Sequence, residues 1–379
     1  MTEKTKYFSY KTGCPAKGCL LCVKGSKLVL FVTGLCSKNC YYCPLSEEKK
    51  NKDVIFANEW RIKNDEDILK EAKLCDAEGA GITGGDPLLK LERTINYIKM
   101  LKKEFGKRFH IHLYTMPESI DENNLKKLHE AGLDEIRLHP DLDDDKNWKK
   151  ISLLKNFDWS TGIEIPSIPG KQKQTEKLIE YVINLKLDFI NINELEISDL
   201  ETNSLSDLGF KAKDELSYAV LGSEELALEL LKKYGDRISM YFCTSKLKDS
   251  VQLAKRIMKR AKNIKKKYDK LTIDGTLIRG SIYLESLKPS FGYYNKIQNI
   301  SDNEKQNILK ELEIIKSKLI RELKIPESSL DIDEVKLRLL TSKKIVEMLS
   351  NKLKKLNLVP AIVEEYPTWD QMEITVDFL

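Results

Sequence analysis

Short apolar runs alternate with amphipathic stretches between residues 26 and 245. Runs bounded by Gly, Pro or Asp indicate strands, and apolar residues recurring every three or four positions indicate helices. The expected strands are 27–34, 80–83, 109–115, 134–140, 162–170, 188–195 and 237–243, with helices over about 64–79, 88–105, 118–131 and 174–185. Because strand–helix–strand crossovers place consecutive strands parallel, this order predicts an α/β fold with a parallel sheet.

Several of these strands carry polar residues on one face and isoleucine or leucine on the other. The polar positions are His110, His112, Tyr114, Arg137, His139, Glu164, Asn191 and Asn193. Parallel strands covered by helices on both faces are normally apolar throughout. The polar face therefore favours a partial barrel with a wet, substrate-lined interior, and the alternative is a sheet with one solvated face.

The pattern divides the chain into three regions. Residues 1–25 are rich in cysteine and lack periodicity, residues 26–245 form the predicted barrel, and residues 246–379 open with a basic run. The last region predicts a small α/β domain with helices near 303–323 and 343–356 and strands at 335–340, 359–366 and 372–378.

The composition is that of an ordinary globular protein, with 41% hydrophobic and 32% charged residues and a net charge of +5. No run approaches the roughly 20 apolar residues of a membrane span, and no apolar segment follows the N-terminal charges. We therefore expect a cytoplasmic protein without a membrane partner. Of eight cysteines, six fall between residues 14 and 43, and in a reducing compartment such crowding favours metal ligation over disulfides.

Cys36, Cys40 and Cys43 have the spacing C-x3-C-x2-C, with Tyr42 before the last cysteine. A loop this short can place three thiolates on one four-iron four-sulfur cluster and leave one iron without a protein ligand. That iron could bind a substrate or cofactor. The alternative is a zinc knuckle whose fourth ligand lies elsewhere.

This cysteine loop, together with Gly-Gly-Asp-Pro at 84–87, resembles the signature of the radical S-adenosylmethionine (SAM) superfamily, in the group related to pyruvate formate-lyase-activating enzyme. The resemblance covers about residues 26–245 and implies a partial (β/α)6-type barrel. It implies that the three cysteines hold the cluster, that its free iron chelates SAM, and that Tyr42 lies against the adenine. Gly84 and Gly85 would approach the methionine part. Asp86 stands where the family usually has Glu.

The resemblance also implies an oxidoreductase or activating enzyme that cleaves SAM to a 5′-deoxyadenosyl radical, which abstracts hydrogen from a substrate. An electron donor such as ferredoxin or flavodoxin is expected. The substrate class stays open between a protein or peptide, a small metabolite and RNA. The side chains expected to face SAM or substrate are Tyr114, His139, Glu164, Asn193 and Glu194.

A second cysteine group, Cys14, Cys19 and Cys22, precedes the first strand with the spacing C-x4-C-x2-C. It predicts an auxiliary iron–sulfur cluster or a zinc ion, with Cys243 as a candidate fourth ligand, and the alternative is a set of buried thiols without metal.

A basic stretch at 246–267 carries ten Lys or Arg against one Asp. As a helix it would present a positive ridge suited to RNA or another polyanion, unless it is simply a solvated face. A non-catalytic metal- and RNA-binding module is the alternative to the enzyme.

Overall fold

The computed structural model describes residues 1–197 and 205–379 and divides them into two compact units, Met1–Arg256 and Ile257–Leu379. Residues 1–25 belong to the same unit as the barrel strands. The division at 25/26 and 245/246 expected from the sequence stays a prediction. No helix of the described residues is long and apolar enough to cross a membrane.

The N-terminal unit contains a mixed sheet and its covering helices. Its strands are β1 Glu3–Lys4, β2 Tyr10–Thr12, β3 Lys27–Phe31, β4 Phe56–Ala57, β5 Trp60–Arg61, β6 Gly79–Thr83, β7 His110–Thr115, β8 Glu135–Leu138, β9 Ser160–Ser167, β10 Phe189–Glu194 and β11 Ser239–Cys243. Its helices are α1 Lys17–Val23, α2 Asp65–Leu74, α3 Leu91–Phe105, α4 Glu122–Ala131, α5 Gln172–Asn184, α6 Ser223–Tyr234 and α7 Ser245–Leu247, and α8 Ala254–Ile264 leads into the second unit.

Seven parallel strands form the centre of the sheet in the order β11-β10-β9-β8-β7-β6-β3. Short antiparallel strands extend both edges, β2 and β1 beside β11, and β4 and β5 beside β3. This is the expected partial barrel, with one parallel strand more than a (β/α)6 type. The first 25 residues, for which no regular structure was expected, supply the strands β1 and β2 and the helix α1.

The two faces of the parallel strands separate as the alternation predicts. Isoleucine and leucine on the outer face are fully buried in one core with the helices, as Ile111, Ile136 and Ile190 illustrate. The polar inner face is also buried, since Arg137 and Asn191 are 2% and 1% exposed. The alternative of a solvated sheet face is therefore wrong.

Local signals set the helix bounds. Asn64 and Asp67 form a capping box at the start of α2, which satisfies backbone donors that the first helical turn leaves unpaired. The predicted helix at 118–131 begins only at Glu122, because Pro117–Ser119 forms a separate 3₁₀ turn and Asp121 caps α4.

The C-terminal unit is an antiparallel sheet with helices. Its elements are β12 Lys270–Leu271, β13 Leu277–Leu284, α9 Tyr293–Gln298, α10 Asp302–Leu323, β14 Asp331–Asp333, β15 Arg338–Thr341, α11 Lys343–Lys355, β16 Leu358–Glu365 and β17 Glu373–Phe378. The strand order is β14-β15-β13-β16-β17, and β12 also pairs with β13. Buried leucines from α10 and α11 share a core with the sheet.

Candidate active site

The C-terminal ends of the parallel strands surround a cavity of about 490 Å³. All of the predicted site residues except Asp86 and Cys14 line it. Those that do are Cys19, Cys22, Cys36, Cys40, Tyr42, Cys43, Gly84, Gly85, Tyr114, His139, Glu164, Asn193, Glu194 and Cys243.

The loop that carries Cys36, Cys40 and Cys43 follows β3 and contributes all three thiols to the cavity. Lys38 fixes the loop through ion pairs with Glu118 at 2.9 Å and Asp141 at 3.1 Å. Burial raises the pKa of Cys36 and of Cys40, so without a bound metal these thiols keep their protons.

The donor set of this loop fits a four-iron four-sulfur cluster. Its three thiols come from eight consecutive residues and all line the cavity. Three thiolates can each bind a different iron of such a cluster, whereas a structural zinc ion would need a fourth ligand.

Gly85 allows the Gly-Gly-Asp-Pro segment to lie directly against the start of the cysteine loop. Its N–H donates to the Thr33 carbonyl at 2.8 Å, and the Asp86 N–H donates to the Leu35 carbonyl at 2.8 Å. A Cβ at position 85 would lie 2.3 Å from the Leu35 oxygen. This close approach of two backbones requires glycine even before any ligand is considered.

Tyr42 and His139 join the cysteine loop to the end of β8. The Tyr42 hydroxyl lies 2.9 Å from His139 Nε2, and His139 Nδ1 lies 2.8 Å from the Glu164 carbonyl. Because a carbonyl only accepts, Nδ1 carries the proton, and the hydroxyl donates to Nε2. Burial lowers the pKa of His139, which keeps the ring neutral.

Glu164 is the centre of a buried hydrogen-bond network. Its carboxylate accepts from Arg137 Nη1 at 2.7 Å, from Asn193 Nδ2 at 2.9 Å and from Asn191 Nδ2 at 3.0 Å. Burial acts to raise the pKa of Glu164, but Arg137 and these amide donors hold it below its usual value. The Glu164 side chain is therefore an anion inside the barrel.

The two other carboxylates predicted to lie in the site, Glu194 and Asp86, have different positions relative to the cavity. Glu194 lines the cavity, accepts from the Ser245 N–H at 2.8 Å, and has its pKa raised by burial. Asp86 is fully buried beside the cavity, where it accepts from the Thr115 hydroxyl at 2.7 Å and from the Ser119 hydroxyl. Both Asp86 oxygens thus bind protein groups, which favours a positioning role over the expected contact with SAM.

Sequence comparisons decide the family. The pattern of the radical SAM superfamily matches residues 30–164. A Methanocaldococcus jannaschii protein with the provisional name glycyl-radical enzyme activating enzyme is 46% identical over 293 residues, which are 75% of this chain and 78% of the relative. This chain belongs to the radical SAM superfamily.

Solved radical SAM structures resemble parts of this chain at low identity. SuiB of Streptococcus suis bound to SAM has a TM-score of 0.42 and 17% identity, over 58% of this chain and 50% of SuiB. Methylornithine synthase has a TM-score of 0.39 and 14% identity, over 56% of this chain and 63% of that protein. This chain therefore spans about half the length of SuiB.

Membership of this superfamily makes the chain an enzyme that uses a four-iron four-sulfur cluster and SAM. The non-catalytic module and a zinc knuckle in place of the radical SAM cluster are therefore wrong.

The basic stretch at 246–267 is less exposed to solvent than predicted. Lys255 donates to the Val23 carbonyl at 2.7 Å, Arg256 pairs with Glu59, and Arg260 is 6% exposed. RNA as a partner stays a prediction.

The cysteines of the second group and Cys243 lie in two different environments. Cys19 and Cys22 lie on α1 and line the cavity together with Cys243, whereas Cys14 is exposed. Burial raises the pKa of Cys19 to about 12 and also raises that of Cys243. Cys14 does not line the cavity, and its place in an auxiliary site stays a prediction.

Sequence reasoning missed Arg137 and Lys27 as site residues, although both line the cavity. Arg137 shares a face of β8 with His139, so the alternation of polar residues could have identified it. Lys27 begins β3 and gave no comparable signal.

Proposed function

We propose that this chain cleaves SAM reductively in the barrel cavity and directs the resulting radical to a hydrogen atom of a bound substrate. The observation that supports this most directly is that the Cys36–Cys43 loop, the Gly84–Gly85 backbone and the polar strand ends line one cavity. When bound and reduced, the cluster supplies the electron that splits SAM into methionine and a 5′-deoxyadenosyl radical.

In this proposal Cys36, Cys40 and Cys43 each bind one iron of the cluster. The ring of Tyr42, held by its hydrogen bond to His139, packs against the SAM adenine. The backbone at 84–85 binds the methionine part, and Asp86 holds that backbone in place through Thr115 and Ser119.

The strand-end residues Tyr114, His139, Glu164, Asn193 and Glu194 orient SAM or the substrate and exclude water. The Glu164 anion is already surrounded by three donors, so it fixes the positions of its neighbours and is a poor proton donor. Glu194 is better suited to hold a proton, because burial raises its pKa even though Lys213, 4.0 Å away, acts to lower it.

The name of the M. jannaschii relative supports a glycine residue of a partner protein as the first substrate to test. Abstraction of a glycine hydrogen would convert the radical to 5′-deoxyadenosine and leave the new radical on the partner. A ferredoxin or flavodoxin is the proposed electron donor. Peptides, small metabolites and RNA are the other substrate classes.

The experiment is anaerobic reconstitution with iron and sulfide, chemical reduction, addition of SAM, and quantification of 5′-deoxyadenosine and methionine by mass spectrometry. We expect both products from the wild-type protein and from Cys14→Ser, and neither from the variant with Cys36, Cys40 and Cys43 replaced by alanine. If wild-type protein carries a reducible cluster on this triplet and leaves SAM intact, the proposal is wrong.

A further inference from the structure

Helix α1 lies inside the polar interior of the barrel. The Gly18 N–H donates to Glu135 Oε2 at 3.1 Å, and Lys27 Nζ donates to the Gly18 carbonyl at 3.5 Å. A Cβ at position 18 would lie 2.5 Å from both Arg137 Nη2 and His112 Nδ1. The helix is thus fixed against β7 and β8, and its Cys19 and Cys22 side chains line the cavity.

Three thiols meet at this place. Cys19 and Cys22 are three residues apart on α1 and therefore share one face of the helix. Cys243 ends β11, and all three cysteines line the cavity. They come from segments more than 200 residues apart, so the barrel itself brings them together.

Each of the three thiols accepts a hydrogen bond from a polar side chain. Asn191 Nδ2 donates to Cys19 Sγ at 3.2 Å, Lys27 Nζ to Cys22 Sγ at 3.3 Å, and Gln252 Nε2 to Cys243 Sγ at 3.7 Å. Cys19 and Cys243 also pack in an apolar cluster with Phe189, Tyr241 and Leu247. N–H donors directed at sulfur stabilise the charge of metal-bound thiolates, so these contacts are compatible with a bound cluster.

The charge of Lys27 gives a second, independent reason. The side chain is 3% exposed, and its ammonium contacts the Gly18 carbonyl, His112 and Cys22. Among the described carboxylates, none lies within ion-pair distance of it, although Glu135 is near enough for the two charges to interact. A buried cation needs anionic neighbours, and a thiolate cluster beside Lys27 would add to the charge that Glu135 supplies.

We propose that Cys19, Cys22 and Cys243 hold a second four-iron four-sulfur cluster in the cavity, separate from the one on Cys36, Cys40 and Cys43. Three thiolates can each bind a different iron of such a cluster, as the three ligands of the first loop do in the proposed function. The site does not depend on the chemistry of SAM, and it excludes Cys14, which sequence spacing had placed in it.

The test removes the two cysteine sets independently and measures iron, sulfide and zinc per chain after anaerobic reconstitution. Wild type should bind about eight irons, and the variant lacking Cys36, Cys40 and Cys43 should keep about four, with an electron paramagnetic resonance signal on reduction. The variant with serine at positions 19, 22 and 243 should also keep about four, held by Cys36, Cys40 and Cys43. Cys14→Ser is the matched control and should lose no iron.

Iron retained by the variant lacking Cys36, Cys40 and Cys43 is decisive, because it does not depend on the folding of the other triple variant. If that protein binds no iron, or binds stoichiometric zinc that serine at 19, 22 and 243 abolishes, the second cluster is wrong. If the wild-type protein binds iron at both cysteine sets but does not cleave SAM, only the proposed function is overturned.

Discussion

Replacing Arg137 by methionine tests whether one buried cation holds the polar barrel interior together. Arg137 is 2% exposed and donates to Glu135 at 2.6 Å, to Glu164 at 2.7 Å and to Tyr114 at 3.0 Å. Methionine keeps most of the side-chain volume but leaves two buried carboxylates without their counter-charge. Removing one partner of a buried ion pair costs about 3–5 kcal/mol.

This loss can be read from thermal unfolding of the metal-free protein followed by circular dichroism at neutral pH. At roughly 2–4 °C per kcal/mol for a unit of this size, Arg137→Met should lower the melting temperature by roughly 6–20 °C. Arg237→Met is the matched control, because Arg237 pairs with Glu180 at 2.7 Å on the exposed surface. Exposed ion pairs contribute little to the free energy of unfolding, so the melting temperature of the control should be close to that of the wild-type protein.

The pH dependence of the same variant checks the electrostatic cause. In the folded protein Arg137 helps to hold the pKa of Glu164 below its usual value, so this carboxylate stabilises the fold above its unfolded pKa, and the contribution is lost as the pH falls. The difference in melting temperature between wild type and Arg137→Met should therefore persist above about pH 4 and shrink as the pH falls below it. A difference that matches the Arg237 control, or that does not change with pH, would refute the reasoning.

Three further predictions concern the same unit. Gly85→Ala should reduce the iron bound after reconstitution, because its Cβ would lie 2.3 Å from the Leu35 oxygen. Gly106→Ala, which is strained by its φ of +84° but would meet no atom within 4 Å, should lower stability without lowering the iron content. Tyr42→Phe should leave iron content unchanged and raise the KM for SAM roughly 2- to 12-fold, the equivalent of the lost hydrogen bond to His139, and an unchanged KM would count against the positioning of the ring by His139. Burial lowers the pKa of His110 to about 4, so stability should fall as the pH drops from about 6.5 to about 4, and His110→Gln should flatten that slope in pH-dependent urea unfolding.

The parallel strands and their polar face could be predicted because both signals are local. Alternation places successive side chains on opposite faces, so Glu164 and Asn193 were assigned to the interior before any contact was known. The cysteine loop was equally local, since three ligands within eight residues need no tertiary information. The predicted start of a helix was wrong where turn-forming residues precede it, as at Pro117–Ser119, which forms a separate 3₁₀ turn before α4.

Partners brought together by the fold could not be predicted. Spacing grouped Cys14 with Cys19, but the chain enters α1 only at Lys17 and leaves Cys14 exposed at the surface. Nothing near Asp86 in sequence indicated that hydroxyls from residues 115 and 119 would satisfy its carboxylate. β13 was missed although it is central to the second sheet, because its partners β15 and β16 lie more than 50 residues away.

One N-terminal segment connects the edge of the barrel to its interior. β2 pairs with β11 and covers its free edge, with Tyr10 opposite Phe242, and α1 follows only a few residues later. The pairing that protects the edge strand therefore also fixes the helix that carries Cys19 and Cys22 beside Cys243. Because Gly18 of that helix binds Glu135, and Glu135 binds Arg137, its position is coupled to the same buried charges that hold Glu164. Any change that displaces α1 should thus disturb both the second set of thiols and the residues proposed to orient SAM or substrate.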